Sequence, residues 1–191
     1  VNQTKKLGLL LPFNLNRVQN DTVNSVVNRL KKDKFLNMTL DFYSGALMAI
    51  DSAKQLGIKV DVSIFDSEET KSNSNVTKLI ADHHLENYNA IIGPFYQTNV
   101  EKTAELLSAN QVAVISPLSK EIGKSYPNLF QTITSPSLLR SAIFDFMRSK
   151  NGNVIAVVDK KKVSVKKYIQ DTQKDVRLVN LTEMGALIPE S

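Results

Sequence analysis

Residues 90–116 read AIIGPFYQTNVEKTAELLSANQVAVIS, and they decide the fold class. Ala90-Ile-Ile-Gly93 and Val112-Ala-Val-Ile-Ser116 are short aliphatic runs without polar alternation, the pattern of strands covered on both faces. Between them Val100, Ala104 and Leu107 recur at three- and four-residue spacing, one apolar stripe of a helix. Thr98 with Glu101 three residues on has the form of a capping box, so the helix is expected to open at Thr98. Strand, helix, strand over so short a stretch is a βαβ unit, which makes the two strands parallel.

The same alternation extends outward. Upstream lie two more strand-like runs, Lys6-Leu-Gly-Leu-Leu-Leu-Pro12 and Val60-Asp-Val-Ser-Ile-Phe65. A helix from Asp41 carries Phe42, Ala46, Ala49, Ile50, Ala53 and Leu56 on one face, and Gly57 stops it. A second helix carries Val76, Leu79, Ile80 and Leu85. Downstream, the run at 129–133 reads as a fifth strand, and Ser135-Pro136 opens a helix with Leu138, Leu139, Ala142, Ile143 and Phe146. The runs at 153–158 and 176–181, joined by a Lys-rich helix, make a fresh βαβ unit. The expectation is an α/β fold: a doubly wound, parallel, Rossmann-like sheet of order 2-1-3-4-5 in residues 1–134, then the start of a second lobe in 135–191. Thr134-Ser-Pro-Ser137 reads as the hinge-like turn between them. Residues 14–40 are rich in Asn, Val and Lys and read as an irregular insertion, with one short helix at 23–30 as the candidate element within it.

Composition narrows the function classes. The 191 residues are 42% hydrophobic and 23% charged, ordinary for a globular protein. No apolar run approaches the ~20 residues of a membrane helix. Cysteine is absent, which removes disulfides, thiolate catalysis and cysteine metal sites. The net charge of +5 leaves an acidic partner conceivable, but the lysines come in short clusters without interleaved aromatics. Solvated helix faces account for them, and no nucleic-acid partner is expected. The chain opens Val-Asn-Gln-Thr, which reads as a processed product or an excised domain whose targeting segment lies upstream.

Catalytic and metal chemistry find little support. His83 and His84 are adjacent on a helix and point apart, whereas chelating pairs need three- or four-residue spacing. Ser116 and Ser119 sit in no G-x-S-x-G elbow, and no histidine is placed for a triad. Gly123-Lys124-Ser125 echoes the end of a P-loop, but Leu118 stands where its first glycine belongs. Asp66, Glu68 and Glu69 read as a solvated acidic turn before a cation site or an acid/base pair. No enzyme and no cofactor is expected. In an open parallel sheet, ligands bind beyond the carboxyl ends of the strands, where helix N-termini point. The candidates there are Phe13, Asn14, Tyr96, Gln97, Thr98, Leu118, Ser119 and Lys120. Tyr96 either caps the sheet or stacks on a ligand, and Lys120 is either a solvated loop lysine or an anion partner.

The ordered set Leu7-Gly-Leu-Leu-Leu-Pro-Phe13, Phe42-Tyr-Ser-Gly-Ala-Leu-Met-Ala-Ile-Asp51, Ile91-Ile-Gly-Pro94, Val114-Ile-Ser-Pro117 and Asn128-Leu-Phe-Gln-Thr132 resembles the type I periplasmic binding proteins, the family of branched-chain amino-acid receptors. Phe42-Tyr-Ser-Gly-Ala and Gly93-Pro-Phe-Tyr96 look most like binding-protein-like domains of Bacteroidetes envelope proteins that follow LysM modules. Gly93-Pro94 with Asn99-Val100 is also similar to outer-membrane lipoprotein activators of penicillin-binding proteins. The resemblance implies two Rossmann-like lobes closing on a ligand in the periplasm or cell envelope, with most of the second lobe lying outside this chain. It implies that Gln97 and Lys120 stand where amino-acid receptors place the hydroxyl residues that grip the ligand carboxylate, with Leu118 supplying a backbone contact. Neither keeps the hydroxyl, which argues against an ordinary free amino acid. The alternative it leaves open is an interaction module in peptidoglycan synthesis that needs no small ligand. Apolar surface left bare by a partial fold points to a homodimer of this chain.

Overall fold

The computed structural model describes residues 4–20, 26–121, 123–150, 153–159 and 161–179, with 181, 182, 185, 186 and 188 beyond them. The chain divides into two compact units, residues 1–134 and 135–191. The first unit is built on five strands: β1 (Lys5–Leu11), β2 (Val60–Asp66), β3 (Ala90–Ile92), β4 (Ala113–Ser116) and β5 (Leu129–Gln131). Their spatial order is β2-β1-β3-β4-β5, and every pairing is parallel. The expected fold class and strand order are thus observed. The strands are short and aliphatic because helices cover both faces, leaving no side that must be polar.

Alternation along β1 assigns the two faces. Leu10 enters one core with Val76, Leu85, Ile91, Val100, Ala104, Leu107, Val112 and Val114. The helices α4 (Val76–His83) and α5 (Gln97–Leu107) supply its cover. Leu9 and Leu11 enter the other core with Phe95, beneath Phe35, Phe42, Ala46 and Ile50 of α3 (Lys34–Gln55). Cover on this second face is incomplete. An open apolar groove of about 450 Å³ runs beside α3, floored by Leu7, Leu9, Val62 and Ile92 and walled by Gly45, Ala49 and Ala53.

Three expectations need correction. The described residues between 14 and 40 are largely helical: they hold α1 (Leu15–Gln19), α2 (Val26–Lys32) and the start of α3. The short helix expected at 23–30 lies at Val26–Lys32, and residues 23–25 fall outside the described ones. The long helix begins at Lys34 rather than Asp41, because the Asp33 carboxylate accepts hydrogen bonds from the Phe35 and Leu36 backbone at 3.1 and 3.0 Å. The capping box at Thr98 is not formed either. The N-cap of α5 is Tyr96, Thr98 Oγ1 donates instead to the Lys71 carbonyl at 2.7 Å, and Glu101 accepts from Gln97 Nε2 and the Lys124 backbone.

The second unit holds β6 (Ile155–Val157) and β7 (Arg177–Val179), paired in parallel, with α6 (Pro136–Arg148) and α7 (Val163–Thr172). Ser135 caps α6 by accepting from the Leu138 backbone, and Pro136 sits in the first turn, where its missing N–H costs nothing. Arg148 forks onto Asp175 through two hydrogen bonds of 2.7 and 2.6 Å. Among the described residues of this unit, Ile169 and Val176 are the buried apolar ones.

Candidate functional site

Because β1, β3 and β4 are parallel neighbours, the loops that leave them emerge at one edge of the sheet. All eight candidate residues lie there. Phe13 is half-buried and meets Tyr43 edge to face, with centroids 5.5 Å apart. Asn14 has a left-handed backbone (φ 54°) and is the N-cap of α1. That turn is held from the end of β2: Asp66 accepts from the backbone of Asn14 and Leu15 at 2.9 and 2.8 Å.

Gly93 ends β3. A side-chain carbon there would stand 2.2 Å from the Leu10 carbonyl oxygen, and φ is +95°, so the close approach of the two backbones requires glycine. The chain then turns into α5. Tyr96 is half-buried and stacks on Phe35, the rings 5.0 Å apart and 18° from parallel. Burial, reinforced by the nearby Glu69 carboxylate, pushes the Tyr96 hydroxyl above its ordinary pKa, so it stays a neutral donor. Gln97 is buried and already engaged, donating to Glu101 at 2.9 Å and accepting from Gln131 at 3.3 Å. Thr98 is exposed. Leaving β4, Leu118 packs on the Phe95 cluster, Ser119 is buried and accepts from the Glu121 backbone, and Lys120 stands exposed.

The strand-end position is therefore common to all eight, but their availability differs. Phe13 and Tyr96 are partly open to solvent, Lys120 is exposed, Thr98 is exposed but commits its hydroxyl to the Lys71 carbonyl, and Gln97 and Ser119 are buried and engaged within the rim. Beside them, Gln97, Lys124, Tyr126 and Gln131 line a polar hollow of about 170 Å³.

One residue of this rim was misjudged from sequence. The turn of Asp66, Glu68 and Glu69 is not simply solvated: Glu69 is 2% exposed. Its carboxylate accepts from the Phe95 backbone at 3.0 Å, the Tyr96 backbone at 2.9 Å, Ser67 Oγ at 2.7 Å and Asn99 Nδ2 at 3.2 Å. Burial raises its pKa above the usual carboxylate range, and the four donors oppose that shift. No local signal marks it, because its partners lie up to 30 residues away. Among the described residues, no cluster of three His, Asp or Glu is placed to hold a metal, and no helix is long and apolar enough to cross a membrane.

The comparisons agree with this architecture. No curated protein matches the chain. An ABC transporter substrate-binding protein from Desulfitobacterium hafniense superposes with a TM-score of 0.53 at 14% identity, over 93% of this chain and 50% of that one. A solute binding protein of an ABC transporter from R. palustris, solved in complex with benzoate, gives 0.50 at 16% identity, over 95% and 49%. This chain thus spans about half the length of those structures. At these identities they show the shared fold. The family model described as the receptor family ligand binding region matches residues 44–182, well over half of the sequence, and the chain belongs to that family, the type I periplasmic-binding-protein-like domains.

Proposed function

We propose that this chain is a non-enzymatic, solute-receptor-like ligand-binding domain of an exported bacterial protein, working in the periplasm or cell envelope. Residues 1–134 form one lobe, 135–191 begin the second, and the ligand contacts the first lobe at its strand-end rim. The convergence of the loops after β1 and β3 on one buried residue carries the proposal: Asn14 Nδ2 donates to the Glu69 carbonyl at 3.2 Å, while the Tyr96 backbone donates to the Glu69 carboxylate at 2.9 Å. A rim tied in this way is preorganised, which lowers the ordering cost of binding. Phe13 and Tyr96 offer apolar area, Lys120 a cation, and Asn14, Gln97, Thr98, Leu118 and Ser119 the polar and backbone frame. This combination suits a solute with a flat apolar body and an anionic group. The benzoate bound by the R. palustris protein has that chemistry.

A calorimetric screen of benzoate, aromatic amino acids and branched-chain amino acids tests the reading on the longest available chain. Saturable binding is expected, weakened at least tenfold by Lys120→Ala combined with Gln97→Ala. Unchanged affinity in the double variant would remove the site from this rim.

The engagement of Gln97 and Ser119 within the protein favours a second reading, an interaction module in peptidoglycan synthesis that needs no small ligand. Silence in the screen together with co-sedimentation on purified sacculi would support it. Self-association belongs to the same proposal. The groove beside α3 and the exposed Leu138, Leu139, Ile143 and Phe146 of α6 are the apolar surfaces a homodimer has to cover. Sedimentation velocity at micromolar concentration is expected to show a dimer, and a monomer would rule it out.

A further inference from the structure

Glu69 is 2% exposed, and among the described residues no cation pairs with its carboxylate. A carboxylate taken out of water keeps its charge most readily beside a cation; without one, the neutral acid is favoured. Burial accordingly pushes its pKa above the ordinary glutamate range, against the pull of the four donors around it. No charged side chain on the surrounding elements bonds to it. On its own loop Asp66 accepts from the Asn14 and Leu15 backbone, Glu68 accepts from Asn16, and Lys71 is exposed. Glu101 of α5 accepts from Gln97 and the Lys124 backbone. Arg17 of α1 and Asp33 ahead of α3 act on the Tyr96 hydroxyl, which Glu69 helps to keep neutral.

The hydrogen bonds around Glu69 can take a proton without being rebuilt. Oε2 accepts from the Phe95 and Tyr96 backbone and from Asn99 Nδ2, at 3.0, 2.9 and 3.2 Å. Oε1 accepts from Ser67 Oγ at 2.7 Å and shares the Phe95 N–H, also at 3.0 Å. A hydroxyl oxygen accepts as well as donates. A proton on Oε1 therefore has Ser67 Oγ to receive it, while the donors that cannot reverse keep Oε2. Glu69 also joins the loops that follow β1, β2 and β3, through its carbonyl to Asn14 and its carboxylate to Phe95 and Tyr96. Its protonation state thus bears on three loops of the rim at once.

We propose that Glu69 is a proton-controlled fastener of the rim: as the pH falls it takes up a proton, shares it with Ser67 Oγ, and holds the three loops together more firmly than its carboxylate does. At high pH the ionised, buried group burdens the closed rim. That burden is shed as the pH falls through the raised pKa and is gone below the ordinary one. The fastener regulates the site of the receptor reading, and its consequence for ligands rests on that reading. A firmer rim is better preorganised, so affinity there should rise on acidification.

Two measurements on the ligand-free protein test the fastener. The Glu69 carboxyl carbon, followed by NMR and assigned through its own backbone, should titrate above the ordinary glutamate range. The Phe95 and Tyr96 amide signals should move with the same midpoint. The second measurement is thermal denaturation of the wild type and Glu69→Gln between pH 8 and pH 5. The variant's amide stands in for the neutral acid, its oxygen keeping the Oε2 donors and its NH2 donating to Ser67 Oγ. All other titrating groups are common to both proteins, so the difference in melting temperature isolates Glu69. The wild type should gain about 3–5 °C on the variant as the pH falls. A carboxyl midpoint within or below the ordinary range overturns the proposal, as does a melting difference that stays constant or moves the other way. If Glu69→Gln does not fold, the wild-type titration decides alone. No solute is used, so a failed ligand screen and a failed titration are separate results.

Discussion

Leu9 and Leu10 are consecutive residues of β1, almost equally buried, and they enter very different surroundings. Leu10 sits at 0% exposure in a core closed by α4 and α5. Leu9, at 2%, lies on the face that α3 covers only in part and floors the open groove of about 450 Å³. The chain thus carries one finished face and one unfinished face on the same strands. A strand reads as continuously aliphatic when both of its faces meet apolar cover. The finished face meets that cover within this chain, and the unfinished face meets it only in part.

The largest effect expected from this contrast is a difference between two like substitutions. Leu10→Ala leaves a closed void, and its cost should be about 4 kcal/mol, toward the upper end for buried leucines. Leu9→Ala opens into a groove that already exists, so little new cavity surface is created, and it should cost about 1–2 kcal/mol less. Urea denaturation of the two variants gives both numbers. Equal costs would mean that the groove is closed in solution.

The elements of both faces were legible. The strands announce themselves as aliphatic runs, the helices as apolar stripes, and the parallel order follows from βαβ crossovers. What escaped the sequence was settled by contacts far apart in the chain. The helix α1 opens on a left-handed Asn14 held by Asp66, about 50 residues on, which no local pattern reveals. Thr98 and Glu101 have the spacing of a capping box, but Thr98 donates to the Lys71 carbonyl and Glu101 accepts from the Lys124 backbone instead. Glu69 looked like part of a wet turn because the amides that bury it belong to another loop. The early start of α3 alone left a local trace: Asp33 followed by Phe35, Leu36, Thr39 and Phe42 at helical spacing. At the rim, the positions of the candidate residues could be read from strand ends, whereas the engagement of Gln97 and Ser119 could not.

A glycine on the finished face sharpens the comparison further. A side-chain carbon at Gly8 would stand 2.6 Å from Ile91 Cδ1, and Ile91 is fully buried. Ile91 has no free space into which to retreat, so Gly8→Ala should destabilise by about 1–3 kcal/mol through overpacking. A cost near zero would show that this face is looser than its burial indicates.

The same substitution on the unfinished face should have the opposite sign. Gly45 lies in the interior of α3 on the wall of the groove, and a side-chain carbon there would meet nothing within 4 Å. Glycine inside a helix costs about 0.5–1 kcal/mol relative to alanine because it surrenders more backbone freedom on folding. With no clash to offset that, Gly45→Ala should raise the melting temperature by about 2–3 °C. The sign depends on the groove being open. If a second copy of the chain packs against α3, a glycine is where two backbones approach most closely, and the added methyl would push them apart. Melting and sedimentation measured on the same variant separate the cases. A higher melting temperature with an unchanged sedimentation coefficient means an open groove. A lower one, with the dimer shifted toward monomer, means that the unfinished face is completed by another molecule at Gly45.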